Sequence, residues 1–258
     1  MHKFEEPCIS GEHGSGTVFF SNCNLSCVFC QNYEISNLCN GREIGEEELA
    51  DIFLKLEQDG AENINLVSPT IYRKQIINAV RKARVKGLAL PIVYNTNGYE
   101  TVEGIKELEG IVDVYLPDLK YSDNELAYKY SKVNNYFEIA TKAIKEMEKQ
   151  VGEVKLDEKG MMKKGLIVRH LVLPSYLENT IGVLNWFKEN MAEDAYMSIM
   201  TQYFPTYKAN EYNELKRKVS KEEYQQVEDY IYLLGIKNGY MQDYVEEDET
   251  QYVPKWDY

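Results

Sequence analysis

No apolar run in this 258-residue chain approaches the ~20 residues that a membrane span needs, which excludes a helical membrane protein from the sequence reading. The opening MHKFEEPCIS has neither the basic start nor the apolar stretch of a signal peptide, so a cytoplasmic location is expected. Basic residues are in short supply. Twenty-nine Lys and Arg face 42 Asp and Glu, a net charge of 29 − 42 = −13, which argues against nucleic acid or an anionic membrane as partner. There are no internal repeats, no low-complexity linker and no second-domain boundary. Cysteine is limited to five residues, and a chain of this length with 44% hydrophobic residues needs no disulfides to fold.

What is present is an alternation of short β-branched apolar runs with longer amphipathic ones, the pattern of an α/β fold. Strands are expected at 17–20, 64–67, 91–94, 112–116, 166–172 and 196–202. Helices are expected from Gly45 to Gly60 and over 74–86, 102–109, 124–130, 136–151 and 181–189. The segment VGEVKLDEKGMMKKG reads as a hairpin turning at Asp157-Glu158-Lys159-Gly160. Six β/α units predict a partial (β/α)6 barrel over residues 1–207, with the helices outside and the chemistry at the C-terminal strand ends. Residues 208–258 read as a C-terminal extension: a helix over 221–234 and a Tyr-rich tail carrying Glu246-Glu247-Asp248-Glu249. A monomer is expected.

Three of the five cysteines fall together as C-x3-C-x2-C: Cys23, Cys27 and Cys30, in the loop after the first strand. Three thiolates at that spacing suit three corners of a [4Fe–4S] cube and leave the fourth iron open. A structural zinc would need a fourth ligand from Cys39, Cys8 or His13 and normally pairs its cysteines in two short arms. Cys8 and Cys39 show no ligand pattern and read as ordinary thiols.

The spacing, with Phe29 just before the last cysteine, resembles the hallmark of radical S-adenosylmethionine (SAM) enzymes. Glu5-Glu6-Pro7, Gly14-Ser15-Gly16-Thr17, Phe19-Phe20-Ser21-Asn22-Cys23, Asn65-Leu66-Val67-Ser68-Pro69-Thr70, Tyr94-Asn95-Thr96-Asn97-Gly98, Leu116-Pro117-Asp118-Leu119-Lys120 and Val168-Arg169-His170-Leu171 resemble PflX-type proteins, relatives of the pyruvate formate-lyase activating enzyme. Longer members of that group begin with a cysteine-rich stretch not seen here. The resemblance implies Cys23, Cys27 and Cys30 as cluster ligands, SAM on the open iron with Phe29 beside its adenine, and a radical that abstracts hydrogen from a peptide or protein. It also implies an electron donor such as flavodoxin or ferredoxin.

The remaining strand-end loops supply further candidates. Ser68 and Thr70 replace a Gly-Gly-Glu of the activating enzymes, and their hydroxyls can accept from the SAM ammonium. Asn97 lies in a loop resembling Asp-Thr-Asn-Gly, with Asn95 in place of the acid. Asp118 and Lys120 share a strand face by two-residue alternation and match an Asp-Leu-Lys near SAM and the reacting peptide. Arg169 is a charge in an apolar strand, suited to a SAM or substrate carboxylate or to a structural salt bridge. His170 should face the other way, and the histidine that activating enzymes carry after the sixth strand is absent from Phe204-Pro205-Thr206-Tyr207. Three functions compete: activation of a glycyl-radical enzyme, radical modification of another peptide or small molecule, and a non-enzymatic iron–sulfur or zinc protein.

Overall fold

Strands of a parallel sheet are covered on both faces, so they tend to be apolar throughout. The computed structural model, which describes residues 1–244, shows this directly: Ile64–Val67 and Val114–Pro117 are buried at every position. A short α1 (Pro7–Ser10) precedes β1 (Gly16–Phe19), and the cysteine loop with α2 (Tyr33–Ser36) leads to α3 (Glu46–Gln58). The chain continues through β2 (Ile64–Val67), α4 (Arg73–Val85), β3 (Ile92–Thr96), α5 (Val102–Lys106) and β4 (Val114–Pro117). Two consecutive helices, α6 (Asn124–Ser131) and α7 (Tyr136–Val151), precede the hairpin of β5 (Lys155–Leu156) and β6 (Met162–Leu171). Then come α8 (Leu177–Asn190), β7 (Tyr196–Met200), α9 (Lys221–Leu234) and β8 (Gly239–Met241). The acidic run at 246–249 lies outside the described residues.

Local chemistry explains several boundaries. Three glutamates in the first turn of α3 complement the positive end of its dipole. Ser220 and Glu223 form a reciprocal capping box that starts α9, and Gly235 in the left-handed region ends it. Asp157 Oδ1 accepts from the amides of Lys159 and Met161, fixing the expected hairpin turn. Pairing of β5 with β6 extends the fifth expected strand backwards to Met162.

Among the described residues seven strands pair in parallel in the order β1-β2-β3-β4-β6-β7-β8, with β5 antiparallel on β6. The ends of that order do not meet. The fold is thus an open, partial barrel, α/β in class, as the alternation predicts. It carries one parallel strand more than the six counted from sequence. β8 is only three residues long, and a Cβ on Gly239 would fall 1.8 Å from the Met197 carbonyl oxygen, so glycine alone permits this close pairing.

Alternation along the strands separates two apolar layers. Ile64, Leu66, Ile92, Tyr94, Tyr115, Leu166 and Val168 join the large core beneath the helices. The intervening Val93, Val114, Leu116 and Ile167 form a smaller inner cluster with Cys8 and Ile9 of α1. The N-terminal helix therefore sits inside the curve of the sheet. By the same alternation Asn65, Asn95, Asp118, Arg169 and Ser198 belong to the inner face.

Candidate functional site

A cavity opens at the C-terminal ends of the strands. Cys23, Cys27, Phe29 and Cys30 line one side, and Ser68, Asn97, Asp118, Lys120 and Arg169 line the rest, together with Glu5 and Asn95. Residues far apart in sequence are thus gathered around one space. Thr70 is not among them: its hydroxyl donates to Glu100 Oε1 at 2.7 Å.

The cysteine loop is held by backbone and side chains together. Val28 N–H donates to Tyr130 O at 2.8 Å and Ser26 N–H to Ser131 O at 3.1 Å, tying the loop to the end of α6. Asn97 Nδ2 donates to Asn24 Oδ1 at 2.7 Å and to Cys23 Sγ at 3.3 Å, which docks the β3 loop on the cysteines. Cys27 Sγ lies 3.0 Å from Ser131 Oγ and Cys30 Sγ 3.1 Å from Ser36 Oγ. Burial pushes the Cys27 thiol up to about 12, against the nearby Lys120 ammonium that lowers it, and burial raises Cys30 as well. These thiols keep their protons until a cation replaces them.

The donor set fits an iron–sulfur cube. Among the described residues no three His, Cys, Asp or Glu side chains converge on a single-ion site, as zinc would require. A cube makes no such demand, because each cysteine binds a different iron. Cys8 and Cys39 line no part of the cavity. Cys8 is buried, and burial pushes its thiol up to about 11, whereas Cys39 is exposed and donates to Asn22 Oδ1 at 2.7 Å.

Opposite the cysteines, Lys120 Nζ is hydrogen-bonded to Asp118 Oδ2, and both side chains are more than four-fifths buried, so this is no exposed surface pair. Burial, the largest single influence, would lower the Lys120 ammonium, but Asp118 together with Cys27 and Cys30 outweighs it and the net shift is upward. Tyr136, fully buried, shares its hydroxyl proton between the carbonyls of Asn97 at 2.8 Å and Asp118 at 3.0 Å and accepts from Lys120 N–H at 3.0 Å. The β3 and β4 loops are locked together by that one phenol. Gly98 allows the approach: at φ +79° a Cβ there would fall 2.1 Å from the Asp118 carbonyl oxygen. Gly98→Ala is therefore expected to cost at least about 1–3 kcal/mol, from backbone strain alone, and to lower the thermal midpoint by several degrees. An unchanged melting curve would contradict this packing.

Arg169 is buried between two acids from the N-terminal segment, with Nη2 3.2 Å from Glu5 Oε2 and Nε 3.0 Å from Glu6 Oε1, the latter an ion pair without a hydrogen bond. Glu5 Oε1 also accepts from Asn65 Nδ2 at 3.0 Å. Neighbouring His170 points into the helix layer as expected. It is fully buried, bonds Leu119 O at 2.7 Å and Thr180 Oγ1 at 3.0 Å, and burial lowers its pKa to about 4.

Glu100 escaped the sequence reading. It follows the Asn97-Gly98 turn and so reads as one more loop acid, yet it is 2% exposed, and its Oε1 accepts from Thr70, Thr96 at 2.8 Å and Tyr94 at 3.2 Å, while Oε2 has no partner. Burial raises its pKa above the ordinary 4.5, against those hydrogen bonds. The folded state then holds a proton that the unfolded chain has released, so stability falls as pH rises from 4.5 through the folded-state value. Glu100→Gln places its amide where no donor is lost. The variant is expected to equal or exceed the wild type in urea midpoint at pH 7, and its advantage should vanish below pH 4.5. A loss of stability at pH 7 would contradict the assignment.

Known proteins frame this geometry. The family model of the radical SAM superfamily matches residues 17–156. A curated relative, the uncharacterized protein MJ0674 of Methanocaldococcus jannaschii, is 34% identical over 233 residues, 86% of this chain and 62% of the relative. The structure of Streptococcus suis SuiB bound to the precursor peptide SuiA superposes with a TM-score of 0.58 at 15% identity, over 88% of this chain and 48% of that one. A domain of the pyruvate-formate lyase-activating enzyme of Bacteroides vulgatus gives 0.51 at 13%, over 71% of this chain and all of that one. The chain thus spans about three-fifths of the curated relative and half of SuiB, and at these identities the solved structures speak for the fold. Members of the matched family use an iron–sulfur cluster and SAM. Since the match covers more than half of the 258 residues and takes in the cysteine loop and the C-terminal ends of β1 to β4, the chain belongs to the radical SAM superfamily.

Proposed function

We propose that Cys23, Cys27 and Cys30 hold three irons of a [4Fe–4S] cluster and that the fourth iron binds SAM in the cavity. The observation that carries this reading is the meeting of three cysteines with polar groups from four different strand ends around one space. When bound, the cluster supplies the electron that splits SAM into methionine and a 5′-deoxyadenosyl radical, which takes a hydrogen atom from the substrate. The protein's part is to position both partners and exclude water.

Glu5 and Asp118 stand against Lys120 and Arg169 in the cavity wall, a balance of 2 − 2 = 0, so acids and cations are both at hand. SAM carries a sulfonium, an ammonium and one carboxylate and can use both. In this reading Phe29, which packs edge-on against Tyr203 at 5.9 Å, flanks the adenine, and Ser68, Asn97 and Asp118 contact the polar parts of SAM. Lys120 and Arg169 present cations to its carboxylate. Thr70 is committed to Glu100 and is given no cofactor role.

The substrate is read as a peptide or protein, after the activating-enzyme domain and SuiB among the structural neighbours, with glycyl-radical activation as the specific form and a flavodoxin or ferredoxin as electron source. The PflX-type resemblance of the strand-end motifs points the same way. The test of the cofactor site is spectroscopic: after anaerobic reconstitution and reduction, adding SAM should change the cluster's electron paramagnetic resonance (EPR) spectrum. An unchanged spectrum would mean that SAM does not reach the open iron.

A further inference from the structure

We propose that Ser36 and Ser131 are positioning residues that raise the reduction potential of the cluster by donating hydrogen bonds to the sulfurs of Cys30 and Cys27. The inference rests on the ligand assignment above and goes beyond it. Its basis is the direction in which each hydroxyl proton must point.

At Cys30, Asn37 Nδ2 lies 3.0 Å from Ser36 Oγ, and an amide NH2 can only donate. Ser36 Oγ is therefore the acceptor in that bond. Its own proton is left to point at Cys30 Sγ, 3.1 Å away. At Cys27, the fully buried Tyr121 places its hydroxyl 2.7 Å from Ser131 Oγ. A buried phenol proton needs an acceptor, and an iron-bound thiolate can only accept. Both demands are met in one arrangement, Tyr121 donating to Ser131 and Ser131 to Cys27 Sγ at 3.0 Å. Two short relays thus end on two ligands from different sides. The third sulfur is served more weakly, by Asn97 Nδ2 at 3.3 Å and Leu25 N–H at 3.4 Å.

When one electron enters from a low-potential iron–sulfur or flavin donor, the cluster gains a unit of negative charge, much of it on sulfur. Donors aimed at the thiolates stabilise that reduced form more than the oxidised one and so raise the potential. Both serines are at least nine-tenths buried, and in a site of low dielectric such bonds act strongly.

The test is an EPR-monitored redox titration of anaerobically reconstituted full-length protein, with iron and acid-labile sulfide measured first. Ser36→Ala and Ser131→Ala are each expected to shift the midpoint to more negative values, by up to about tenfold in the reduction constant, or 59 mV for one electron. Should an alanine variant assemble poorly, Ser36→Thr against Ser36→Val, and likewise at Ser131, compares near-isosteric side chains differing in the hydroxyl. The threonine should keep the wild-type potential and the valine lose it. Full clusters at an unchanged potential in the hydroxyl-free variants would overturn the proposal. A wild type that assembles no cluster would instead overturn the ligand assignment, and the two failures are distinct.

Discussion

Cys27→Ala is expected to abolish cluster assembly and SAM cleavage together. Cys27 is the most deeply buried of the three candidate ligands, between Cys23 and Cys30, and its sulfur is already aimed at Ser131 beside the cavity. A cube bound by only two cysteines is labile. Cys8 and Cys39 sit away from the cavity and cannot substitute. Changes around a metal ligand typically cost 10–100-fold, so removal of the ligand itself should lower 5′-deoxyadenosine formation by at least about 100-fold, with iron and sulfide content falling in parallel. Cys39→Ala is the control and should leave both unchanged. Cleavage retained in Cys27→Ala would remove this cysteine from the ligand set.

The second large effect is on stability. Arg169→Met should destabilise the fold by about 3–5 kcal/mol, because it leaves the Glu5 and Glu6 carboxylates buried without their counter-ion. For a chain of this size that corresponds to a fall in Tm of roughly 10 °C. The triple variant Glu5→Gln, Glu6→Gln, Arg169→Met should recover most of the loss, since a buried pair replaced together costs far less than one broken. Thermal and urea unfolding of the three proteins, wild type included, measures this. If Arg169→Met melts with the wild type, the N-terminal acids are not bound to it as described.

How much of this was legible in the sequence depended on how local each signal is. The cysteine loop is a spacing within eight residues, and the strand-helix alternation is a periodicity within each segment, so both could be read from one chain. The partnership of Asp118 with Lys120 was likewise local, two residues on one strand face. The partners of Arg169 were not: Glu5 and Glu6 stand more than 160 positions away, and nothing in their neighbourhood marks them as buried. The helix α8 begins at Leu177 rather than at 181, because Asn179 and Thr180 look like loop residues yet are buried and bond Lys120 O and His170. Thr70 and Glu100 show the same limit. Each has a side chain whose direction was set by a partner elsewhere in the fold, and the turn chemistry around them gave no hint of it. β8 was missed because three residues beginning with glycine carry no strand signal; the exposed edge of β7 supplies it.

The central claim, that three cysteines at the strand ends hold a cluster that reduces SAM, is tested most directly by one assay. The protein is reconstituted anaerobically with iron and sulfide, reduced, and incubated with SAM, and 5′-deoxyadenosine and methionine are quantified. The cavity chemistry predicts that both products form in equal amounts and only when reductant is present. Reconstituted protein that carries a full cluster yet forms no 5′-deoxyadenosine under reduction would contradict it.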